Sequence, residues 1–152
     1  MIVRKVTELD AAPDLVWRHL QTSRLFRYVS WPMMRFAPVG GPPWPETWHR
    51  GAIRVWMWQF GFLPMGRQWV DVSETRADGA LYALHDNGRG DLIRRWSHHI
   101  AVSPAEGGRT RYSDTIDIEA GLLTPLVWAF AGVFFAHRQR RLRALARRGF
   151  SC

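Results

Sequence analysis

The chain has one cysteine, Cys152, and one lysine, Lys5, in 152 residues. One thiol excludes an intramolecular disulfide and any zinc site built from cysteines, so Cys152 reads as a free thiol. The scarcity of lysine leaves arginine as almost the whole basic complement. So uniform a bias points to base composition, although guanidinium also favours bidentate anion contacts and aromatic stacking. Long apolar runs are few. The longest, Leu122 to Ala136, is shorter than the ~20 residues of a membrane span and contains Pro125. Metal-ligand spacing is missing: His19, His49, His85 and His137 are scattered, and adjacent His98 and His99 point to opposite faces of a strand. No metal is expected. No G-x-S-x-G, phosphate-loop or dinucleotide fingerprint occurs, and Gly88-Arg89-Gly90 lacks the strand–turn–helix setting such motifs need, so no cofactor is expected. Met1 to Leu9 alternates like a strand and has no signal-peptide core, which leads to the expectation of a cytoplasmic protein.

What the chain does have is charge and tryptophan. Its 21 basic residues exceed its 13 acidic ones, giving a net charge of +8, a balance that brings nucleic acid or an anionic membrane to mind. Six arginines lie between His137 and Arg148, however, and without them the remainder is nearly balanced. With no second basic element or groove-reading motif, nucleic acid is not the expected partner. On a helix Arg140, Arg141, Arg143 and Arg147 spread over much of the circumference. They read either as a solvated end complementing the helix dipole or as a contact for an anionic membrane surface. The nine tryptophans predict a large aromatic interior, since each can bury on the order of 200 Å².

Element signals run the length of the chain. Asp10 with Pro13 predicts a helix start, and Val16, Trp17 and Leu20 fall at helical spacing over 13–21. Ser23 begins a second short helix that Trp31-Pro32 ends. Residues 38–45 form a proline-rich loop. Apolar or alternating runs follow at 52–62, 66–75, 81–85, 92–102 and 109–118. Asp78-Gly79, Asn87-Gly88 and Gly107-Gly108 are the expected hairpin turns, a meander pattern. Thr124-Pro125 opens a helix of about 24 residues to Arg148, with a buried apolar first half. No linker divides the chain, so residues 1–152 read as one domain.

This order, with Ala12-Pro13-Asp14-Leu15-Val16-Trp17, Trp96-Ser97-His98-His99-Ile100, Gly107-Gly108-Arg109-Thr110 and Phe134-Phe135-Ala136-His137-Arg138, resembles the SRPBCC superfamily. That group includes START-like, Bet v 1-like and polyketide cyclase/dehydrase-like proteins. The resemblance implies an α+β helix-grip fold, β-α-α-β6-α, whose curved antiparallel seven-stranded sheet wraps a long C-terminal helix. It also implies a cavity between sheet and helix for a hydrophobic small molecule, lipid- or polyketide-like. Carriers, cyclases, hydrolases and regulatory domains all use this fold.

Candidate chemistry follows from strand faces. Arg94, Trp96, His98 and Ile100 share one face of their strand; Tyr112, Asp114 and Ile116 share one face of the next. With the turn centred on Glu106, His98 lies opposite Asp114, and Ile100 opposite Tyr112. One reading makes His98, Asp114 and Tyr112 the proton-moving groups of a cyclase/aromatase- or dehydratase-like enzyme. The other makes His98 and Asp114 a buried structural pair, with Arg138 as a further partner. Trp56, Trp58, Phe60 and Phe62 share another strand face and read as core or cavity wall, joined by Trp128 and Phe134 from the helix. Residues 62–66 form the expected turn at the cavity mouth. The expected partner is therefore a small apolar molecule, bound without turnover, held for an enzymatic step, or handled at a membrane surface. The oligomeric state is left open.

Overall fold

A computed structural model describes residues 1–48 and 52–151; His49 and Cys152 lie outside the described residues. Strand β1 (Ile2–Leu9) is followed by helices α1 (Pro13–Leu20) and α2 (Ser23–Ser30). Strands β2 (Met34–Pro38), β3 (Ile53–Gln59), β4 (Leu63–Val70) and β5 (Val72–Thr75) come next. Then come β6 (Tyr82–Gly90), β7 (Arg95–Pro104), β8 (Thr110–Glu119) and the 24-residue helix α3 (Thr124–Arg147). The antiparallel sheet runs β1-β8-β7-β6-β4-β3-β2, with β5 paired to β6. It has eight strands where seven were expected. Against the six runs read along the chain, Met34–Pro38 is added and pairs with β3 just before the proline-rich loop, and the run 66–75 divides at Asp71 into β4 and β5.

The helix starts follow local chemistry, with two changes of residue. Pro13 occupies the first turn of α1, where its missing N–H costs nothing. The N-cap is Ala12, because Asp10 instead accepts from Arg109 Nε at 2.7 Å. Helix α2 is capped by Thr22, whose hydroxyl accepts from the Leu25 N–H at 3.2 Å. Ser23 turns its hydroxyl to the Pro45 carbonyl.

The register between β7 and β8 differs from expectation by two residues. Arg95 pairs with Glu119, His98 with Ile116 and Ile100 with Asp114. The reversal is centred on Gly107, which with Gly108 takes positive φ, rather than on Glu106. A slip of two preserves which face each side chain occupies, because the strand period is two.

Asn87-Gly88 does not form a turn; it lies inside β6, opposite Ser97 and Trp96 of β7. These glycines are required by crowding. A Cβ on Gly88 would sit 2.9 Å from Gln68 Nε2 and from the Trp96 carbonyl, and one on Gly90 would overlap the Arg67 carbonyl and Gln68 Oε1. The mouth turn is Phe60-Gly61-Phe62, with Phe60 and Gly61 at positive φ, and 63–66 already belong to β4.

The core has two centres. One gathers Leu9, Val16, Leu20, Val102, Tyr112 and Leu145 around α1 and the end of α3. The other joins Val3, Met57, Ile116, Ile118, Phe134 and Phe135 under the middle of α3. None of the nine tryptophans is buried, which corrects the expected tryptophan interior. Four lie under guanidinium groups: Arg35 over Trp58 at 3.9 Å, Arg27 over Trp44, Arg67 over Trp56, and Arg54 and Arg89 over Trp69. These four indoles make cation–π contacts on the outside of the fold, while Trp96 packs against the second core centre.

Helix α3 buries one inner stripe, with Leu142 and Leu145 on it as expected, but the apolar first half is buried only at Ala131, Phe134 and Phe135 and its opening turns are open. Ala131, Phe134, Phe135, Leu142 and Leu145 face the sheet, while Leu126 (68% exposed) and Val133, and Leu122 just before the helix, are exposed. Gly121–Arg147 is long and apolar enough to cross a membrane by length and composition, with mean hydropathy 1.2 over its most apolar stretch, although the run Leu122–Ala136 alone is short.

Candidate functional site

Between the sheet and α3, closed on one side by α2, is a cavity of about 710 Å³, inside the usual range for small-molecule sites. Its walls are mostly aliphatic, methionine and phenylalanine side chains, among them Val29, Met34, Met57, Leu84, Phe130 and Phe134. Polar groups reach it from β3, β4, β6, β7, β8 and α3, and those of β7, β8 and α3 meet in one hydrogen-bonded set around Asp114.

Asp114 on β8 is fully buried and accepts three hydrogen bonds. His98 Nε2 donates to Oδ1 at 2.7 Å, Tyr112 Oη donates to the same oxygen at 2.9 Å, and Gln139 Nε2 donates to Oδ2 at 2.9 Å. Burial opposes ionisation of the carboxyl. The hydrogen bond and field of His98, the field of Arg138 and the Gln139 bond outweigh it, so its pKa lies below the ordinary value. Burial is also the main reason the Tyr112 phenol is pushed well up, with the Asp114 charge adding to it. The His98 ring packs edge-on against Phe135 at 4.8 Å, which fixes its plane. The three residues singled out as candidate catalytic groups thus line the cavity together.

A second carboxylate, Asp86 on β6, lines the same cavity. Its Oδ1 accepts from the Asp71 backbone N–H at 2.9 Å where β4 gives way to β5. Burial raises its pKa to about 6, against the opposing effects of the Asp71 N–H bond, His98 and Arg138; the Asp71 charge adds to the rise. Sequence reasoning missed Asp86 by placing a turn at Asn87-Gly88. With the strand continued to Gly90, Leu84, Asp86, Gly88 and Gly90 alternate onto one face.

Arg138 and Gln139 of α3 complete the set. Both are buried on the helix's inner stripe, four residues after Phe134 and Phe135. Charged or amide side chains at that spacing on an apolar stripe are the signal that marks them. Gln68 of β4 is buried as well, and its Oε1 has no hydrogen-bond partner.

The expected ligand-contact residues divide. Trp96, Ile100, Phe60 and Phe134 line the cavity. Trp56 and Trp58 do not: the inner face of β3 carries Val55, Met57 and Gln59, and the two indoles lie outside under Arg67 and Arg35. Both faces of β3 are apolar, so alternation alone did not choose between them. Phe62, 74% exposed, projects from the mouth turn. Arg94 is exposed just before β7. Ile116 is buried in the core beneath α3 rather than on the cavity. Trp128 is on the outer side of α3, and its Nε1 donates to the Ile2 carbonyl at 2.8 Å.

The C-terminal arginines are mostly engaged within the fold. Arg141 Nε donates to the Tyr28 carbonyl at 2.9 Å and stacks over the Tyr28 ring, and Arg143 donates to Thr7 Oγ1 at 3.1 Å. Arg147 lies 3.9 Å from Asp10, and Arg140 reaches His137 Nδ1 at 3.4 Å. Arg141 and Arg143 thus fasten the helix to α2 and β1, while Arg140 and Arg147 remain exposed. Among the described residues, no group of three or more His, Cys, Asp or Glu side chains is placed to hold a metal ion.

A family model described as "Domain of unknown function (DUF8410)" matches residues 7–146. No curated protein matches the chain. Solved structures match along almost the full length. A START superfamily protein from Mycobacterium smegmatis superposes with a TM-score of 0.72 at 14% identity, covering 97% of each chain. A protein from Thermus thermophilus gives 0.64 at 18% identity over 99% of this chain and 100% of that one. One from Arthrobacter aurescens gives 0.68 at 15% identity over 97% and 86%. The fold is that of the START-like helix grip.

Proposed function

The chain belongs to the DUF8410 family, and on that premise we propose that it binds a hydrophobic or amphipathic small molecule, lipid- or polyketide-like, between its sheet and α3. The observation that carries this reading is the cavity of about 710 Å³, lined mostly by apolar side chains with a few polar groups among them. An apolar cavity of that size is what the fold generally uses for small hydrophobic ligands.

The hydrogen bonds on Asp114 count against its use as a general base. A general base must reach a substrate proton, whereas both oxygens of Asp114 already accept from His98, Tyr112 and Gln139. The mouth supports a further reading, a lipid handler working at a membrane surface. Phe60, Leu123, Leu126 and Val133 are both exposed and part of the cavity's lining, so the rim itself is apolar.

Native mass spectrometry of the purified protein, followed by solvent extraction, tests the binding reading. The expected result is a co-purifying apolar compound that the extracted protein takes up again. A protein that carries no added mass and takes up neither decanol nor decanoate would overturn it. For the membrane reading, co-sedimentation with phosphatidylcholine vesicles should depend on Phe62 and Leu126 and change little with salt.

A further inference from the structure

Arg138 holds a permanent charge with no carboxylate paired directly to it, although its field reaches Asp114 and Asp86 and it neighbours the Tyr112 phenol. Its side chain belongs to a residue only 8% exposed, and a guanidinium does not give up its proton in a protein. Nη1 donates to Ser30 Oγ at 3.2 Å, and Nε is buried with no hydrogen-bond partner. The rings of Phe135, Phe134 and Phe26 surround it at 5.2, 5.6 and 5.9 Å. Among the described residues no carboxylate forms an ion pair with it. Asp114 is taken up by His98, Tyr112 and Gln139, and Asp86 accepts from the Asp71 backbone. A buried charge in that position is costly unless something pairs with it.

We propose that Arg138 is the seat of an anionic head group. The ligand is an amphiphile whose single carboxylate lies against the guanidinium, while its apolar body fills the cavity toward the mouth. Arg138 lines that cavity, and the parallel N–H groups of a guanidinium match the two oxygens of a carboxylate. This inference rests on the binding reading above and narrows it from any apolar molecule to an acid.

The test is calorimetric titration at neutral pH, below micelle-forming concentrations, with decanoate, decanol and decyltrimethylammonium. These share a chain and differ in head charge. Decanoate should bind at least about tenfold tighter than decanol, a gap of about 1.4 kcal/mol, and the ammonium compound should bind weakest. A parallel pair, 2-naphthoate against 2-naphthol, distinguishes a chain body from a fused-ring body, and in the pair that binds the acid should lead. Arg138→Met should abolish the acid's advantage while leaving decanol within about threefold of wild type. Should that variant fail to fold, Arg138→Lys should keep a reduced advantage. Equal affinity for acid and alcohol in the wild type, or an advantage undiminished in Arg138→Met, overturns the head-group seat and leaves the cavity reading standing. If no probe binds, the cavity reading itself falls.

Discussion

His98 meets Asp114 on the diagonal between two strands. The backbone partner of His98 is Ile116 and that of Asp114 is Ile100, yet Nε2 lies 2.7 Å from Oδ1. Diagonal neighbours start about 7–8 Å apart at the backbone, within reach of long side chains. Once Tyr112 and Gln139 join, the carboxylate ties β7, β8 and α3 together.

That tie should show in stability. Asp114→Ala strands three donors, and urea unfolding should register a loss of about 3–5 kcal/mol. Asp114→Asn keeps an acceptor and should lose about 1–3 kcal/mol while still binding decanol. A change below about 1 kcal/mol in the alanine variant would mean that the pair does not hold the fold together.

Asp86 should give stability an unusual pH slope. Its pKa is raised to about 6 in the folded state, so the native protein binds more protons than the unfolded chain between its ordinary value and that one. The favourable contribution is complete below the unfolded pKa and is lost as pH rises through about 6. Asp86→Asn should therefore stabilise the protein at about pH 7.5 by about 1–3 kcal/mol and flatten the slope between about pH 4 and 6. Asp114, with its lowered pKa, has the opposite sign and loses its contribution only as pH falls through its own lower folded value. Chemical denaturation at several pH values reads both, and an unchanged slope in the asparagine variant would refute the Asp86 assignment.

Gly90→Ala should be costly for its size. The added methyl meets the Arg67 carbonyl and the Gln68 amide, and overpacking of this kind costs about 1–3 kcal/mol. Thermal unfolding checks it; an unchanged midpoint would mean that β4 and β6 separate freely there.

Leu122→Lys should be nearly silent. Leu122 stands fully in solvent at the entry to α3, and an exposed substitution away from special features stays within about 0.5 kcal/mol. A loss of about 2 kcal/mol or more would require this part of the helix to be covered.

Several of these sites were readable from the chain and others were not, for a physical reason. Helix α3 was legible because its start is chemically local, a threonine and a proline, and its inner stripe repeats every three to four residues. The inward faces of β7 and β8 were legible from alternation, which is also why a two-residue error in register left His98 and Asp114 in contact. Asp86 was hidden because Asn87-Gly88 is the composition of a turn. Only the approach of Gln68 and Trp96 explains that glycine as part of a strand. The positions of Trp56 and Trp58 depended on Arg67 and Arg35, which come from other strands. Arginine bias and tryptophan count looked unrelated in the sequence, and in the fold they stack on each other.

The uneven fastening of α3 has a mechanical consequence. Its last turns are clamped by Arg138 to Ser30, Gln139 to the Lys5 carbonyl, Arg141 to Tyr28 and Arg143 to Thr7. Its opening turns are held by the Trp128 indole on Ile2 until Ala131, Phe134 and Phe135 enter the core. The helix is a cantilever, and from Ala131 back to Thr124 its less fastened arm is about 10 Å long at about 1.5 Å per residue. A tilt of about ten degrees there displaces the far tip by about 2 Å over that length. Leu126 of the cavity's lining lies on that arm, so the entrance borders the least fastened part of the helix.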